Sequence, residues 1–257
     1  MPQIYTSPFQ INSITDSQVS GANTIGSLSN ISDDSKYTFY ETDSAGTGNV
    51  LTFVFNLAST QDIDTVYLIG ENIDSVRITE FGLDYVTSST YNDRDAFIAT
   101  NATTVSGTTI TLECTRTPST TSMRLYQVLI MRHLLSLNQS DTRAITRFDT
   151  TREIRNSTIQ EDLYGSRTLQ VGHINNTKKT IGYEMWQNAS NLSACRSELN
   201  TVYNIQRQNS NFTIWDLSEL GSQDYESVFE AFWIPGSFTE RLQGTQAISY
   251  SFSIQEK

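Results

Sequence analysis

The sequence predicts a mainly β protein: a sandwich of about eight strands, followed by an α+β layer in which one helix covers a sheet. Three observations predict it. Ser and Thr saturate the chain, Asn follows, and only 4 of 257 residues are Pro. Hydroxyl-rich, β-branched sequence suits strands that are wet on one face. Apolar residues recur with period two in short runs bounded by turn clusters, whereas helical spacing is confined to one stretch of the second half.

The elements follow in chain order. In Leu51-Thr-Phe-Val-Phe-Asn-Leu57, residues 51, 53, 55 and 57 face one way. Val66–Ile69 and Val76–Ile78 are short apolar runs, Ile110-Thr-Leu-Glu-Cys114 repeats the alternation, and Arg124–Met131 closes the first half. The clusters Asp43-Ser-Ala-Gly-Thr-Gly-Asn49 and Ser88–Asp95 read as turns. In the second half, Leu169–Ile174 and Thr180–Gln187 read as a hairpin around Asn175, Asn176, Thr177 and Lys178. Asn191–Gln208 then carries Leu192, Cys195, Leu199, Val202 and Tyr203 at three- and four-residue spacing, one apolar stripe of a helix that Ser190 or Asn191 can cap. Strands follow at Phe212–Leu217, Tyr225–Ile234 and Gln246–Gln255, the last with Ile248, Tyr250, Phe252 and Ile254 opposite Ala247, Ser249, Ser251 and Ser253.

Charge divides the chain. Residues 1–120 hold 4 Lys+Arg against 14 Asp+Glu, while residues 121–257 hold 13 against 14. The expected organisation is therefore 1–135 as the sandwich, 136–165 as a mixed-charge linker or assembly loop, and 166–257 as the sheet-plus-helix part. A net charge of −11 argues against a sequence-independent hold on nucleic acid. No apolar run reaches the roughly 18–20 residues of a membrane helix. The opening Met-Pro-Gln-Ile-Tyr-Thr-Ser-Pro lacks the basic head and apolar stretch of a signal peptide, so synthesis in a cytoplasm is expected. Two histidines, His133 and His173, and two distant cysteines, Cys114 and Cys195, give no CxxC or HxxxH pair. With no Gly-x-Ser-x-Gly, Gly-x-Gly-x-x-Gly or Walker-type loop either, the chain is not expected to be an enzyme.

Several residues could carry a site. Asp33–Asp34, Asp62 with Asp64, and Glu71 with Asp74 are either oxygen ligands for calcium or solvated turn acids. Tyr40, Tyr85 and Tyr91 sit in or beside loops, where a tyrosine stacks on a sugar or packs at a strand edge. Trp186, Trp215 and Trp233 read as core or subunit-interface anchors. Arg143, Arg147, Arg152, Arg155 and Arg167 alternate with acids, as in a solvated linker or in a loop that pairs with a neighbouring subunit.

Residues 20–131 resemble the galactose-binding-like (discoidin) jelly roll. The likeness runs through Gly21-Ala22-Asn23, the stretch Asp33–Tyr40, "LTFVFNL", "IDTVYLIGENIDSVRITEF" and the closing "SMRLYQVLIM". It implies a jelly roll, a structural calcium near Asp33, Asp34 and Thr38, and loops able to recognise a glycan. Residues 140–257 resemble the terminal, tail-tube-like domains of tailed-phage virion proteins of the distal-tail kind, through a long polar hairpin, "FTIWDL", "YESVFEAFWIPGSF" and "YSFSIQEK". That likeness implies a structural protein of a phage tail or baseplate, a homo-oligomeric ring with other tail proteins as partners. Its contacts would fall at Arg143, Arg147, Arg152, Arg155, Asn175, Asn176 and Trp186, and the jelly roll would project outward. The alternative is a carbohydrate-binding module for a host surface glycan. Beyond the possible calcium, no cofactor is expected.

Overall fold

The computed structural model describes residues 3–18, 22–33, 35–43, 49–82, 84–87, 89–91, 94–117, 122–137, 143–154, 157–161, 167–171, 177–188, 193, 197, 200, 204, 211–215, 228–234, 236–243 and 247–257, with the backbone alone in 87–95, 143–179, 187 and 242–243. The first half holds β1 (Gln3–Thr6), β2 (Ile11–Asp16), β3 (Thr24–Ile25), β4 (Tyr40–Thr42), β5 (Val50–Glu71), β6 (Ile73–Ile78), β7 (Val86–Thr87), β8 (Ser89–Tyr91), β9 (Arg94–Arg116), β10 (Met123–Met131) and β11 (His133–Ser136). Then come β12 (Arg143–Ile154), β13 (Ser157–Glu161), β14 (Arg167–Val171), β15 (Thr177–Asn188), β16 (Phe212–Trp215), β17 (Val228–Trp233), β18 (Thr239–Gln243) and β19 (Ala247–Glu256). The protein is mainly β, and its described strand pairs are antiparallel.

The chain forms two compact bodies, and the first is discontinuous: Pro2–Leu134 together with Thr213–Val228. It carries 18 Asp+Glu against 6 Lys+Arg, a net −12, and the remainder of the chain is near neutral. Its nine-stranded sheet runs β3-β4-β10-β5-β9-β6-β7, with β2 on β5 and β8 on β9. The sheet doubles into two layers because β5 and β9 belong to both. Val50–Asn56 pairs with Thr109–Thr115, the register slips between Asn56 and Gln61, and Thr65–Gly70 pairs with Asp95–Thr100. At the slip Ala58, Ser59 and Thr60 are exposed, as a bulged corner requires.

Side-chain pattern distinguishes the two layers. Along Val50–Leu57 buried and half-buried residues alternate, so one face packs and the other is wet. From Ile63 to Gly70, and from Leu125 to Met131, every residue is buried. Continuous burial means that both faces of this layer are covered. Val66, Leu68, Val128 and Ile130 join Leu51, Phe53, Phe55 and Leu112 in the core between the layers. On the other face Tyr67, Ile69, Tyr126, Leu129 and Met131 pack with Tyr5 and Val228, and with Phe39, Ile98 and Trp215 at the margin. The Lys36 ammonium donates to the Val228 carbonyl at 2.5 Å. Trp215 and Val228 thus complete a core begun more than a hundred residues earlier.

In the second body the order is β17-β19-β15-β12, with β18 also on β19. Ile248, Tyr250, Phe252 and Ile254 are buried beside Ile181, Tyr183 and Met185 of the same sheet, but Ala247 and Ser249 of the opposite face are buried too, so only Ser251 and Ser253 follow the predicted alternation. Trp233 is buried in the core, its ring 4.4 Å from Phe252 and 5.8 Å from Phe212 between centroids. Ser193, Ser197, Asn200 and Asn204 are helical and exposed, which is the polar face complementary to the predicted stripe; the stripe residues lie outside the described ones.

Two expectations are corrected. Residues 143–154 are a twelve-residue strand rather than a loop, paired with β15 from Arg143↔Gln187 to Ile154↔Thr177. Backbone hydrogen bonds to β15 build that strand, and these require no apolar period. Among the described residues, the expected pairing of 169–174 with 180–187 is not made. Instead β14 pairs with β13, Ser157↔Val171 to Glu161↔Arg167, while β15 lies between β12 and β19. Turn residues mark a reversal without selecting the partner strand.

A fragment ending at residue 135 lacks Trp215 and Val228 and bares the outer face of the doubly covered layer. It is expected to bind a hydrophobic dye and to unfold at lower urea than the intact chain. Within the intact chain, Phe55→Ala should cost about 3–5 kcal/mol in urea titration, the range for emptying a closed core site of a phenyl ring.

Candidate functional site

The wet face of the single-sided layer holds the candidate site. In β6 and β9 alternation sends Val76, Ile78, Leu112 and Cys114 into the core, and Arg77 and Glu113 outward. The register Arg77↔Glu113 sets these two opposite each other. Their pairing is bidentate: Arg77 Nε donates to Glu113 Oε2 at 3.0 Å and Nη2 to Oε1 at 2.9 Å. The chain then turns through Thr79–Phe81, with Phe81 buried as an anchor. Gly82 closes the turn in the left-handed region at φ 62°, its N–H donating to the Thr79 carbonyl at 3.1 Å. The chain returns through exposed Asp84 and Tyr85 to Val86, which pairs with Val76.

Tyr85 is thereby fixed. Its hydroxyl donates to Glu113 Oε2 at 2.6 Å, and the Arg77 guanidinium lies 5.0 Å from its ring centroid. The residue remains 39% exposed, a large share for one so constrained. Thr79 Oγ1 also donates to Glu113 Oε1 at 3.4 Å, and Glu80 Oε2 accepts the Thr111 N–H at 2.8 Å. Farther along the same face, four residues down β9 from Glu113, run Thr109, Asn56 and Ser13, linked from Asn56 Nδ2 to Ser13 Oγ at 3.1 Å and from Thr109 Oγ1 to Asn56 Oδ1 at 3.4 Å. Around the Tyr85 ring the face offers a carboxylate, a guanidinium and the Thr79 hydroxyl. The Arg77 hydrogen bonds hold the Glu113 carboxyl below its usual range, and the Glu113 bond raises the Tyr85 phenol above its own.

The other sequence candidates are placed differently. Tyr40 is not a surface platform: it is 3% exposed, edge-on to Phe53, with its hydroxyl on Asp16, so a sugar cannot reach it. Tyr91 ends β8, and its side chain lies outside the described ones. Asp33 closes its own turn, Oδ1 accepting the Ser35 N–H at 3.0 Å and Oδ2 the Thr38 hydroxyl at 2.7 Å. Asp34 lies outside the described residues, among which no three His, Cys, Asp or Glu side chains gather as metal ligands. Both Asp33 oxygens thus accept a hydrogen bond within their own turn. Arg143, Arg147 and Arg152 lie on β12 opposite Gln187, Tyr183 and Lys179. Trp186 is half-buried on β15, and Arg155, Asn175 and Asn176 lie outside the described residues. Cys114 is buried and its thiol pushed well above the usual range by desolvation, while the His133 ring packs edge-on to Tyr5 at 5.5 Å.

Sequence reasoning named Tyr85 and missed its partners. The alternation of Ile110–Cys114 already turned Glu113 outward, but the register that brings Arg77 to it is a tertiary fact.

No protein-family model and no curated protein matches the chain. Solved structures do. A mutant of chitosan-binding module 1 from a chitosanase/glucanase of Paenibacillus sp. IK-5 is 20% identical, covering 49% of this chain and 98% of that one at a TM-score of 0.36. The family 32 carbohydrate-binding module of C. perfringens NanJ, solved with galactose, is 11% identical over 51% of this chain and 100% of that one, TM-score 0.36. The family 32 module of AlyQ, solved with 4,5-unsaturated mannuronic acid, is 14% identical over 48% and 96%, TM-score 0.32.

Acid should weaken this region in a defined window. Glu113 and Glu41 both titrate below their ordinary value, chiefly through hydrogen bonds from Arg77 and Arg124. Their stabilisation is therefore complete above the unfolded carboxyl value of about 4.3 and is lost as pH falls through the lower folded value. Urea midpoints measured from neutral pH into acid should fall in that window, and Glu113→Gln should flatten the fall.

Proposed function

We propose that the first body is a carbohydrate-binding module, and that the wet face around Tyr85 receives the sugar. The observation that carries this is an exposed tyrosine ring fixed by a bidentate Arg77–Glu113 pair. A pyranose presents an apolar C–H face and a rim of hydroxyls. The first suits an aromatic plane already held in one orientation, so little side-chain freedom is lost on binding. The second suits Arg77 as donor, while the Ser13, Asn56 and Thr109 row, four residues along β9 from Glu113, lies within reach only of further rings of an oligosaccharide. Recognition, not turnover, is the role this geometry serves, because each Glu113 oxygen is taken up by Arg77 and a neighbouring hydroxyl.

A glycan array probed with the full chain, followed by calorimetry on the best oligosaccharide, tests this. Tyr85→Ala should weaken binding by about 2 kcal/mol, roughly thirtyfold, as loss of a central aromatic anchor does. Tyr85→Phe keeps the ring and loses only its tether, so it should retain most of the affinity. Unchanged binding by Tyr85→Ala would remove the site.

A second reading, self-assembly of the other body as a tail or baseplate component, is favoured by one feature. In the order β17-β19-β15-β12, β12 stands last, so among the described residues its far edge is unpaired. An open twelve-residue edge is a template for strand addition by another chain. Mass photometry of the full chain should then show a closed multimer, converted to monomer by Thr151→Pro; a monomer at every concentration rejects this role.

A further inference from the structure

We infer that the Tyr85 site selects cationic amino sugars over neutral and anionic ones, an inference that rests on the sugar-binding reading above. The argument is one of residual charge. Arg77 and Glu113 answer each other, so the pair adds no net charge beside the ring. Two further carboxylates stand close by. Asp84 is exposed, precedes Tyr85 in the chain, and is near enough to Arg77 to act on its charge. Glu80 gives Oε2 to the Thr111 N–H, two residues along β9 from Glu113, while its Oε1 has no hydrogen-bond partner among the described residues. No described cation beyond Arg77 faces them, and the body as a whole carries a net −12.

A uronate or sialate laid on Tyr85 would bring a carboxylate toward like charge, that of Asp84 and Glu80 and of the body as a whole. A neutral hexose meets no such penalty and gains nothing from these groups. A protonated amino group on the ring that stacks on Tyr85 gains from both. The attraction requires ionised carboxylates and a protonated amine together, so it lies in mildly acidic solution above the carboxylate range and fades as rising pH deprotonates the amine. It also weakens with salt, since the groups are near the surface.

Calorimetry on the full chain with three hexasaccharides decides the matter: fully deacetylated glucosamine, its N-acetylated counterpart, and a galacturonate. At about pH 5.5 the glucosamine oligomer should bind about three- to tenfold tighter than the acetylated one, the scale of two exposed charge pairs, and the galacturonate weakest. The margin should vanish when the amine is deprotonated and shrink at high salt. Replacing Glu80→Gln and Asp84→Asn together should bring glucosamine affinity down to that of the acetylated oligomer, while Tyr85→Ala should weaken both. Equal or tighter binding of the acetylated or uronate oligomer, or a preference that survives the double replacement, overturns the charge selection and leaves the sugar site standing. Failure to bind any of the three, together with a blank glycan array, overturns both.

Discussion

The pairing of β5 with β9 is the constraint from which the first body follows. The two strands, 22 and 23 residues long, are hydrogen-bonded to one another near both ends and pass together from one layer to the other at a single bulged corner. Every other strand of the sheet, save β3, β4 and β7, pairs with one of these two. Slipping their register by one residue would turn Phe53 and Phe55 to solvent and Thr52 and Val54 into the core, so the hydrophobic pattern and the ladder enforce each other. The site inherits this rigidity: Glu113 projects from the same ladder that sets the core, and Tyr85 is tied to Glu113.

A second lock sits on the other layer. Arg124 Nε donates to Glu41 Oε2 at 2.6 Å and Nη1 to Glu71 Oε2 at 3.1 Å, while Tyr126 and Ser122 supply hydroxyls to the same two carboxylates. The arginine lies in register with both glutamates, so one side chain on β10 ties β4 and β5 to it from either side. Its guanidinium also rests 5.1 Å from the Phe39 ring. Taken singly such half-exposed pairs contribute little, but a shared arginine with two fixed acceptors sets strand register as well as adding attraction. Arg124 and its apolar run were visible in the sequence as the head of a closing strand; that it clamps two others was not.

What the sequence discloses is governed by range. Period-two alternation in Leu51–Leu57 reports which face is buried, because that depends only on neighbours along the chain, whereas in the last strand Ala247 and Ser249 are buried against their pattern. The unbroken run of β10 was legible as a strand, but its meaning, burial on two faces, depends on Trp215 and Val228, which arrive about ninety residues later. The mixed-charge stretch from Arg143 reads as loop because its strand character comes from β15 rather than from its own residues. Tyr40 and Tyr85 look alike in sequence, each beside a turn cluster. They differ because Tyr40 lies on an inward position of β4, whereas Tyr85 precedes the first paired residue of β7 and has no core to enter.

The discontinuity of the first body bears on how the chain is made. At roughly 5–20 residues per second, Trp215 and Val228, which pack with Tyr67, Ile69 and Tyr126, leave the ribosome about 5–20 seconds after residue 134. Through that interval the doubled sheet can close around its inner core while its outer face still offers tyrosine, isoleucine and methionine to water. Until Trp215 and Val228 arrive, that face is incomplete. Its heavy negative charge is in place by then, since 14 of the 18 acidic residues of this body precede residue 134. Mutual repulsion between half-made chains is thus available when the surface most needs it.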